Sequence, residues 1–187
     1  MEIIDVYKET INLKENTELN YNLKPNSFAK LFFHDRVGVN LKVNISLDEN
    51  ASCEIYGLFH NEGKDPNVIT DVIHKGKKSK CDQDFRFVNK NCDSSFAGKI
   101  TIPKEVTGCE SHMLNKNLLL DDESTAFSKP ELDIKNDDTI FSHGATTGDL
   151  DPEQVFYLRS RGIPEPEAIK ILVDAFYQDI KIRMESE

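Results

Sequence analysis

The 187-residue sequence contains no tryptophan and only four cysteines. No two cysteines form the Cys-x2-Cys pair that nucleates zinc and iron sites, and four are few for a disulfide framework. We therefore expect the thiols to stay free in a reducing compartment, either the cytoplasm or an organelle stroma or matrix. The cysteines are Cys53, Cys81, Cys92 and Cys109.

Basic residues are also scarce. The chain has 23 Lys and Arg against 33 Asp and Glu, which gives a formal net charge of −10. Such a charge repels polyanions, so we expect no nucleic-acid partner. No apolar stretch is long enough to cross a membrane, and the first residues, Met1 to Asp5, show no basic and apolar leader. We expect a chain that is neither secreted nor bound to a membrane.

The motifs that report catalytic machinery are missing as well. Because there is no Gly-rich phosphate loop, nucleophile elbow, His-Glu-x-x-His segment or calcium loop, we do not expect an NTPase that binds its own nucleotide. Cys109 and His112 form only a weak Cys-x2-His pairing. Asp137 and Asp138 could supply the carboxylates of a sugar hydrolase on a β-helix, but solvated turn residues explain them more simply.

Alternation of apolar and polar residues dominates the first three quarters of the chain. From Val37 to Leu47 every odd position is apolar, which predicts a strand over that range. Shorter alternating runs lie at 81–87, 96–102 and 132–134. Turn clusters recur about every 13 to 16 residues, so two strands with their turns would make a coil of about 30 residues. This spacing favours a parallel β-helix over a β-sandwich, which remains the alternative.

The pattern becomes helical after Asp149. Asp151 is suited to cap a helix that has Pro152 at its first position, and Gly162 is suited to end it. A second helix is predicted to begin between Pro164 and Glu167, because apolar residues then recur at steps of three and four. The chain is therefore expected to end in a helical hairpin.

Four segments carry a more specific signature. They are NKNLLL at 115–120, KPELDI at 129–134, SHGATTG at 142–148 and EQVFYLRSRGI at 153–163. In their order and spacing the chain resembles the C-terminal part of the SufB/SufD family of iron-sulfur cluster assembly proteins. The resemblance runs from about His74 to Ile180.

The resemblance implies a mainly β fold, a right-handed parallel β-helix followed by a small C-terminal helical hairpin. The β-helix core would cover residues 1–148 and the helical, ATPase-docking segment residues 149–187. Members of the family pair through their β-helix ends and dock SufC, an ABC-type ATPase, on the helical segment. The resemblance thus implies a non-catalytic scaffold subunit that pairs with a SufB-like or identical subunit. A transient iron-sulfur cluster would lie at the subunit interface.

Two departures indicate the branch of the family. SufB-like members carry a cysteine six residues before the proline that matches Pro130, where this chain has Ser124, and a hydroxyl cannot replace a thiolate as a soft iron ligand. They also carry glutamate where this chain has Gly144. The chain is therefore closest to SufD-like members. His143 matches a histidine proposed to face the cluster, and we expect it to bind metal, with an interface hydrogen bond as the alternative role.

The segment 153–163 matches the region with which the family docks its ATPase. Its arginines suit a partner contact, because arginine is favoured at interfaces, although ordinary surface charge is the alternative. Its aromatic residues could instead form the core of the hairpin. The predicted partner-binding residues are Phe156, Tyr157, Arg159, Arg161, Gly162 and Ile163.

Only residues 1–73 precede the matched part, fewer than family members usually have. We therefore expect either a compact member or a remnant without cluster chemistry. The alternative function is accordingly a homodimeric ATPase-binding module that no longer holds a cluster.

Overall fold

A computed structural model describes residues 5–185, which form eleven strands and two helices. The strands β1 to β11 span Asp5–Asn12, Thr17–Leu23, Ser27–Asp35, Leu41–Leu47, Ser52–Glu62, Asn67–His74, Lys80–Lys90, Asp93–Ile102, Cys109–Leu119, Thr125–Ile134 and Thr139–Asp149. The helices are α1, Pro152–Ser160, and α2, Glu165–Glu185.

The strands alternate between two parallel sheets. Sheet A has the order β1-β3-β5-β7-β9-β11, and sheet B has the order β2-β4-β6-β8-β10. The chain advances by 22 residues between the partners Asp5 and Ser27, and by 32 between Asp93 and Thr125. Each sheet therefore gains one strand per coil, and the whole is a β-solenoid of about five turns. The predicted β-helix is confirmed, and the sandwich is wrong because sandwich sheets are antiparallel.

The core fills the space between the two sheets. Strands β4 and β8 alternate buried and less buried residues, as the sequence pattern predicts. Equivalent side chains of successive coils stack, as with Phe59 and Phe87, whose ring centroids are 4.9 Å apart. Continuous apolar columns thus hold the coils together.

The coils turn at residues with left-handed backbone. At one corner Asn26, Asn50, Lys78 and Gly108 all have positive φ, and the strand register places them one above another. The Asn50 side-chain amide donates to Asn26 Oδ1 at 3.1 Å. Asparagine and glycine tolerate this conformation, so the turn clusters of the sequence mark real corners.

One predicted strand is shorter than expected. Alternation starts at Val37, but β4 begins at Leu41. The Asp35 carboxylate accepts from the backbone N–H groups of Val37 at 2.8 Å and Val39 at 3.0 Å, and Gly38 has a φ of 66°. These bonds fold residues 37–39 into a turn, because backbone donors held by a side chain do not join a sheet.

The helical hairpin is confirmed, and α2 packs on the outer face of sheet A. Phe32 and Tyr56 of the sheet join Val173 and Ile180 of the helix in a second apolar cluster. The Tyr177 hydroxyl donates to the Phe59 carbonyl at 2.8 Å. The division of the chain after residue 148 remains a prediction. Neither described helix is long and apolar enough to span a membrane.

Candidate functional site

The last coil of the solenoid ends in two edge strands, β10 and β11. Strand β11 pairs with β9 on one side and, within residues 5–185, with no strand on the other. Most of its residues are exposed. An edge strand presents backbone donors and acceptors to any strand that approaches it, so this end of the solenoid is suited to pairing.

His143 lies at the middle of this edge strand. It is in register with Met113 of β9, which is only 2% exposed in the solenoid interior. Because neighbours in register share a face of the sheet, His143 continues the inner column at the open end. Its side chain is exposed and makes no hydrogen bond within the described part of the chain. A ligand or a partner can therefore reach both ring nitrogens.

Large apolar side chains are exposed on the last coil. Ile140 and Phe127 are 65% and 64% exposed, and Phe141 is 46% exposed. Phe141 shares the inner face of β11 with His143, whereas Ile140 lies on its outer face. Large apolar side chains exposed along the edge strands of both sheets mark an interaction surface. We name Phe127, Ile140, Phe141 and His143 the end-coil surface.

Two asparagines brace the end-coil surface from inside. Asn117 Nδ2 donates to the Thr146 carbonyl at 3.1 Å and to Thr147 Oγ1 at 3.2 Å. Asn115 Nδ2 donates to the Phe85 carbonyl at 3.1 Å. These bonds tie β11 to β9 and β9 to β7. No bracing role for Asn115 and Asn117 was predicted, although two asparagines at alternate positions of a strand are a signal of inward-facing amides.

Ser124, which stands where SufB-like members have cysteine, is 4% exposed. Its hydroxyl donates to Asp121 Oδ1 at 2.6 Å and accepts from the Cys92 N–H at 3.4 Å. The hydroxyl is thus occupied within its own turn. A serine hydroxyl that is buried and hydrogen-bonded in this way is not available as a metal ligand.

The structure separates the other metal candidates. Cys109 is buried with its thiol 3.7 Å from the Gly76 carbonyl, whereas His112 lies on the outer face, 2.7 Å from Ser142 Oγ. All four cysteines are free, as the sequence predicts for the thiols, and all are buried. Among residues 5–185 no three His, Cys, Asp or Glu side chains converge in a way that could hold a metal ion. The carboxylates of Asp137 and Asp138 lie on an exposed turn.

Helix α1 keeps its aromatic residues in solvent. Phe156 is 71% and Tyr157 57% exposed, and no residue of α1 is buried. The aromatic residues therefore do not form the core of the hairpin. Asp151 caps the helix, as predicted, by accepting from the Glu153 N–H at 2.9 Å.

The turn after α1 fixes two arginines beside these aromatics. Gly162 has a φ of 87°, its N–H donates to the Arg159 carbonyl, and the Ile163 N–H donates to the Leu158 carbonyl. This is the Schellman arrangement that a glycine at this position permits. The Arg161 guanidinium lies 5.3 Å from the centre of the Tyr157 ring. Arg159 pairs with Glu165 at 3.1 Å, which leaves it exposed at the turn. We name Phe156, Tyr157, Arg159 and Arg161 the α1 surface.

Comparison with known proteins identifies the family. The family model described as "SUF system FeS cluster assembly, SufBD core domain" matches residues 27–176, so the likeness begins well before His74. The chain is 39% identical to an iron-sulfur cluster assembly SufBD family protein of Synechocystis sp. over 62% of its length, which is 23% of that protein.

Two further relatives agree with this match. The chain is 38% identical to the iron-sulfur cluster assembly protein SufD of Escherichia coli over 49% of its length, which is 22% of that protein. It is 40% identical to a SufBD family protein of Mycobacterium bovis over 62% of its length, which is 28% of that protein. The matched part thus spans about a quarter of each relative. The chain belongs to the SufBD core-domain family of the SUF iron-sulfur cluster assembly system.

Proposed function

We propose that the chain is a non-catalytic, SufD-like scaffold subunit in iron-sulfur cluster assembly. In this proposal it pairs through the end-coil surface with a SufB-like subunit or with a second copy of itself. It docks an ABC-type ATPase of the SufC type through the α1 surface. The nascent cluster is the cargo of the assembly, which works in the cytoplasm or in an organelle stroma or matrix.

The observation that carries this proposal is the position of His143 on an open edge strand. An imidazole nitrogen is a suitable iron ligand, and the His143 ring has no hydrogen-bond partner within residues 5–185. Since the described residues hold no complete metal site, the remaining ligands would come from the paired subunit. The cluster would therefore form only when two subunits meet.

A two-fold pairing of β11 strands would bring two such histidines together. Strand β11 runs from Thr139 to Asp149, so an antiparallel pairing of its whole length centres on Gly144. The two copies of His143 would then be diagonal neighbours, about 7 to 8 Å apart at Cα. Both imidazoles would be within reach of one cluster. A SufB-like partner could meet the same edge with its own ligands.

The α1 surface supports the docking part of the proposal. Tyrosine and arginine are enriched among residues that dominate binding energy, and here Tyr157 and Arg161 lie together on a capped, rigid helix end. Arginine stacked on tyrosine keeps a fixed geometry, which lowers the entropy lost on binding. This surface therefore fits a protein partner.

Anaerobic reconstitution with iron and sulfide tests the role of His143. We expect the complex containing His143→Ala to retain less iron and sulfide than the wild-type complex, with unchanged circular dichroism and unchanged ATPase binding. His112→Ala is the matched control, because His112 lies on β9, the strand next to β11, but is bonded to Ser142 and Glu110. An equal cluster yield in both variants would remove the ligand role from His143.

A homodimeric ATPase-binding module without a cluster is the second candidate. It is favoured by Ser124, whose buried hydroxyl is committed to Asp121. A defined cluster in a reconstituted complex that contains this chain would contradict it.

Light scattering after size exclusion, with and without the SufC-type ATPase, tests the docking of the ATPase that both candidate functions require. A folded chain that never associates with the ATPase would contradict both.

A further inference from the structure

A cleft of about 890 Å³ lies between α2 and the outer face of sheet A. His34, His60 and Lys90, near the ends of three neighbouring strands, form one wall, and α2 from Glu165 to Lys181 forms the other. Small-molecule sites commonly have volumes of about 300 to 1,000 Å³. The cleft is separate from the end-coil surface and from the α1 surface, with which it shares no residue.

The floor of the cleft is apolar. Leu58 and Val173 are each 6% exposed and meet Ile169 and Tyr177 there. The Tyr177 hydroxyl is occupied by the Phe59 carbonyl, so the ring presents an apolar surface to the cleft. The floor therefore suits a hydrocarbon or aromatic body.

Four carboxylates line the cleft, and each has a partner within the protein. Three of them form ion pairs: Glu62 with Lys90 at 2.6 Å, Asp174 with Lys181 at 2.7 Å, and Glu165 with Arg159 at 3.1 Å. The fourth, Asp121, accepts hydrogen bonds from the Ser124 hydroxyl at 2.6 Å and from the Asn91 N–H at 2.8 Å. Two cations of the wall remain, Arg36 and Lys170, which form no ion pair within 4.0 Å in the described part of the chain.

His34 orients Arg36. The Arg36 Nε–H donates to His34 Nε2 at 3.3 Å, so this ring nitrogen is an acceptor and the imidazole is neutral. His34 Nδ1 then carries the proton and lies 3.4 Å from Asn12 Oδ1. Burial, assisted by the charge of Arg36, lowers the pKa of His34, which agrees with a neutral ring. No residue in the range 5–185 hydrogen-bonds the terminal N–H groups of Arg36, which form the fork that binds carboxylate or phosphate bidentately.

We infer that this cleft binds an amphipathic organic anion. The carboxylate or phosphate group of the ligand lies on the Arg36 fork, and its apolar body lies on Leu58, Ile169 and Val173. Lys181, Lys170 and Arg36 together lower the pKa of the Asp174 carboxyl, so cations outnumber carboxylates on this side of the cleft. In a chain of net charge −10, an apolar floor beside such a group of cations is the complement of an amphipathic anion. The site does not depend on the proposed scaffold function, because every group that forms it belongs to this chain.

Isothermal titration of the full chain with four probes tests the inference. Octanoate and octyl phosphate combine both features, 1-octanol lacks the charge, and inorganic phosphate lacks the tail. We expect one saturable site per chain for the two amphipathic anions. The other two probes should bind at least about tenfold more weakly, since each lacks one of the contacts. Octyl phosphate has one more tail carbon than octanoate, which accounts for a ratio of affinities of about fourfold. A larger ratio, in either direction, assigns the site to carboxylate or phosphate ligands.

Variants locate the binding. Arg36→Gln should weaken octanoate binding about tenfold, because it removes a charge-assisted bond from an exposed side chain. Ile169→Trp should weaken it by filling the floor. Lys104→Gln is the matched control, since Lys104 is an exposed lysine outside the cleft. The inference is overturned if the wild-type chain shows no saturable octanoate binding, if Arg36→Gln binds as wild type does, or if Lys104→Gln weakens binding equally.

Discussion

The guanidinium of Arg86, on β7, and the carboxylate of Asp179, on α2, form a two-pronged ion pair that fastens the helix to the solenoid. The Arg86 side chain is only 4% exposed and also pairs with Asp84 at 3.0 Å. Burial opposes the charge on Arg86, but hydrogen bonds to the two carboxylates outweigh this and raise its pKa. The arginine therefore supplies the charge that holds two acidic side chains in place.

We predict unequal effects when this pair is broken. Arg86→Met leaves the nearly buried Asp84 without a counter-charge and should lower the free energy of unfolding by about 3 kcal/mol. Asp179→Ala should cost only about 1 kcal/mol, because that carboxylate is half exposed. Urea unfolding followed by circular dichroism gives both values. Asp174→Ala, which breaks the exposed pair with Lys181, is the control and should change stability by less than about 0.5 kcal/mol. An Arg86→Met variant as stable as this control would show that the ion pair does not hold the helix.

A second prediction concerns Gly76, where two coils approach closely. A Cβ atom at this position would lie 1.9 Å from the Glu49 backbone nitrogen and 2.3 Å from the Asp48 carbonyl carbon. Backbone atoms cannot withdraw as a flexible side chain can, so Gly76→Ala should destabilise the protein by about 3 kcal/mol. Thermal unfolding measures the loss. Gly148→Ala serves as the control, since a Cβ there meets nothing within 4 Å. Equal melting temperatures for the two variants would contradict the close approach.

Local signals explain which elements the sequence could predict. Each feature that was predicted correctly depends on residues within one turn or strand. These features are the strand that ends at Leu47, the helix cap at Asp151 and the glycine at position 162, and all three are found in the structure. Strand β11 was harder to predict, because its segment is small and polar and alternation is lost where one end of the solenoid stays open. Strand β2 was missed although Leu19, Tyr21 and Leu23 alternate in it with exposed asparagines, because asparagine is depleted in strands and does not indicate one.

The features that the sequence did not predict depend on contacts between residues that are distant along the chain. Arg86 and Asp179 are 93 positions apart, and no periodicity connects them. The cleft beside Arg36 exists only because α2 folds back over sheet A, so no local sequence pattern predicts it. His143 was identified through a motif, but its place in line with Met113 depends on strand register. Register is set by packing of whole coils, which a single sequence does not display.

A third prediction concerns stability in mild acid. His74 is buried, its Nδ1 lies 2.7 Å from Ser79 Oγ, and its Nε2 has no partner in the described residues. Burial lowers the pKa of His74 from 6.5 to about 4. Between these values the unfolded chain binds a proton that the folded chain does not. Stability should therefore fall as pH drops from about 6.5 to about 4, by up to about 3 kcal/mol from this group.

His74→Gln separates this contribution from others. Burial also lowers the pKa of His34 and His60, so these groups act in the same direction. In urea unfolding measured across this pH range, the variant should lose less stability than the wild type does. A variant whose stability has the same pH dependence as the wild type would assign the effect elsewhere.

A fourth prediction concerns the α1 surface. Phe156→Ala and Tyr157→Ala should each weaken binding of the SufC-type ATPase about thirtyfold, a typical effect of removing a central aromatic contact. Neither side chain is buried, so the melting temperature should stay unchanged. Surface plasmon resonance on the purified pair measures the affinity. Ile182→Ala removes an apolar side chain of similar exposure from α2 and should bind as the wild type does. Equal affinities for all three variants would move the docking site away from α1.

A fifth prediction concerns pairing through the end coil. Ile140 is 65% exposed on the edge strand β11, and a lysine at an edge resists the approach of another strand. Ile140→Lys should therefore raise the dissociation constant of the pair at least about tenfold, whether the partner is a SufB-like subunit or a second copy. Light scattering after size exclusion over a range of concentrations gives the constant. Val37→Lys is the control, because Val37 is 43% exposed on a turn far along the solenoid from β11. If both variants pair as the wild type does, the interface lies elsewhere. In that case no paired subunit would lie beside His143 to supply the remaining ligands of a cluster.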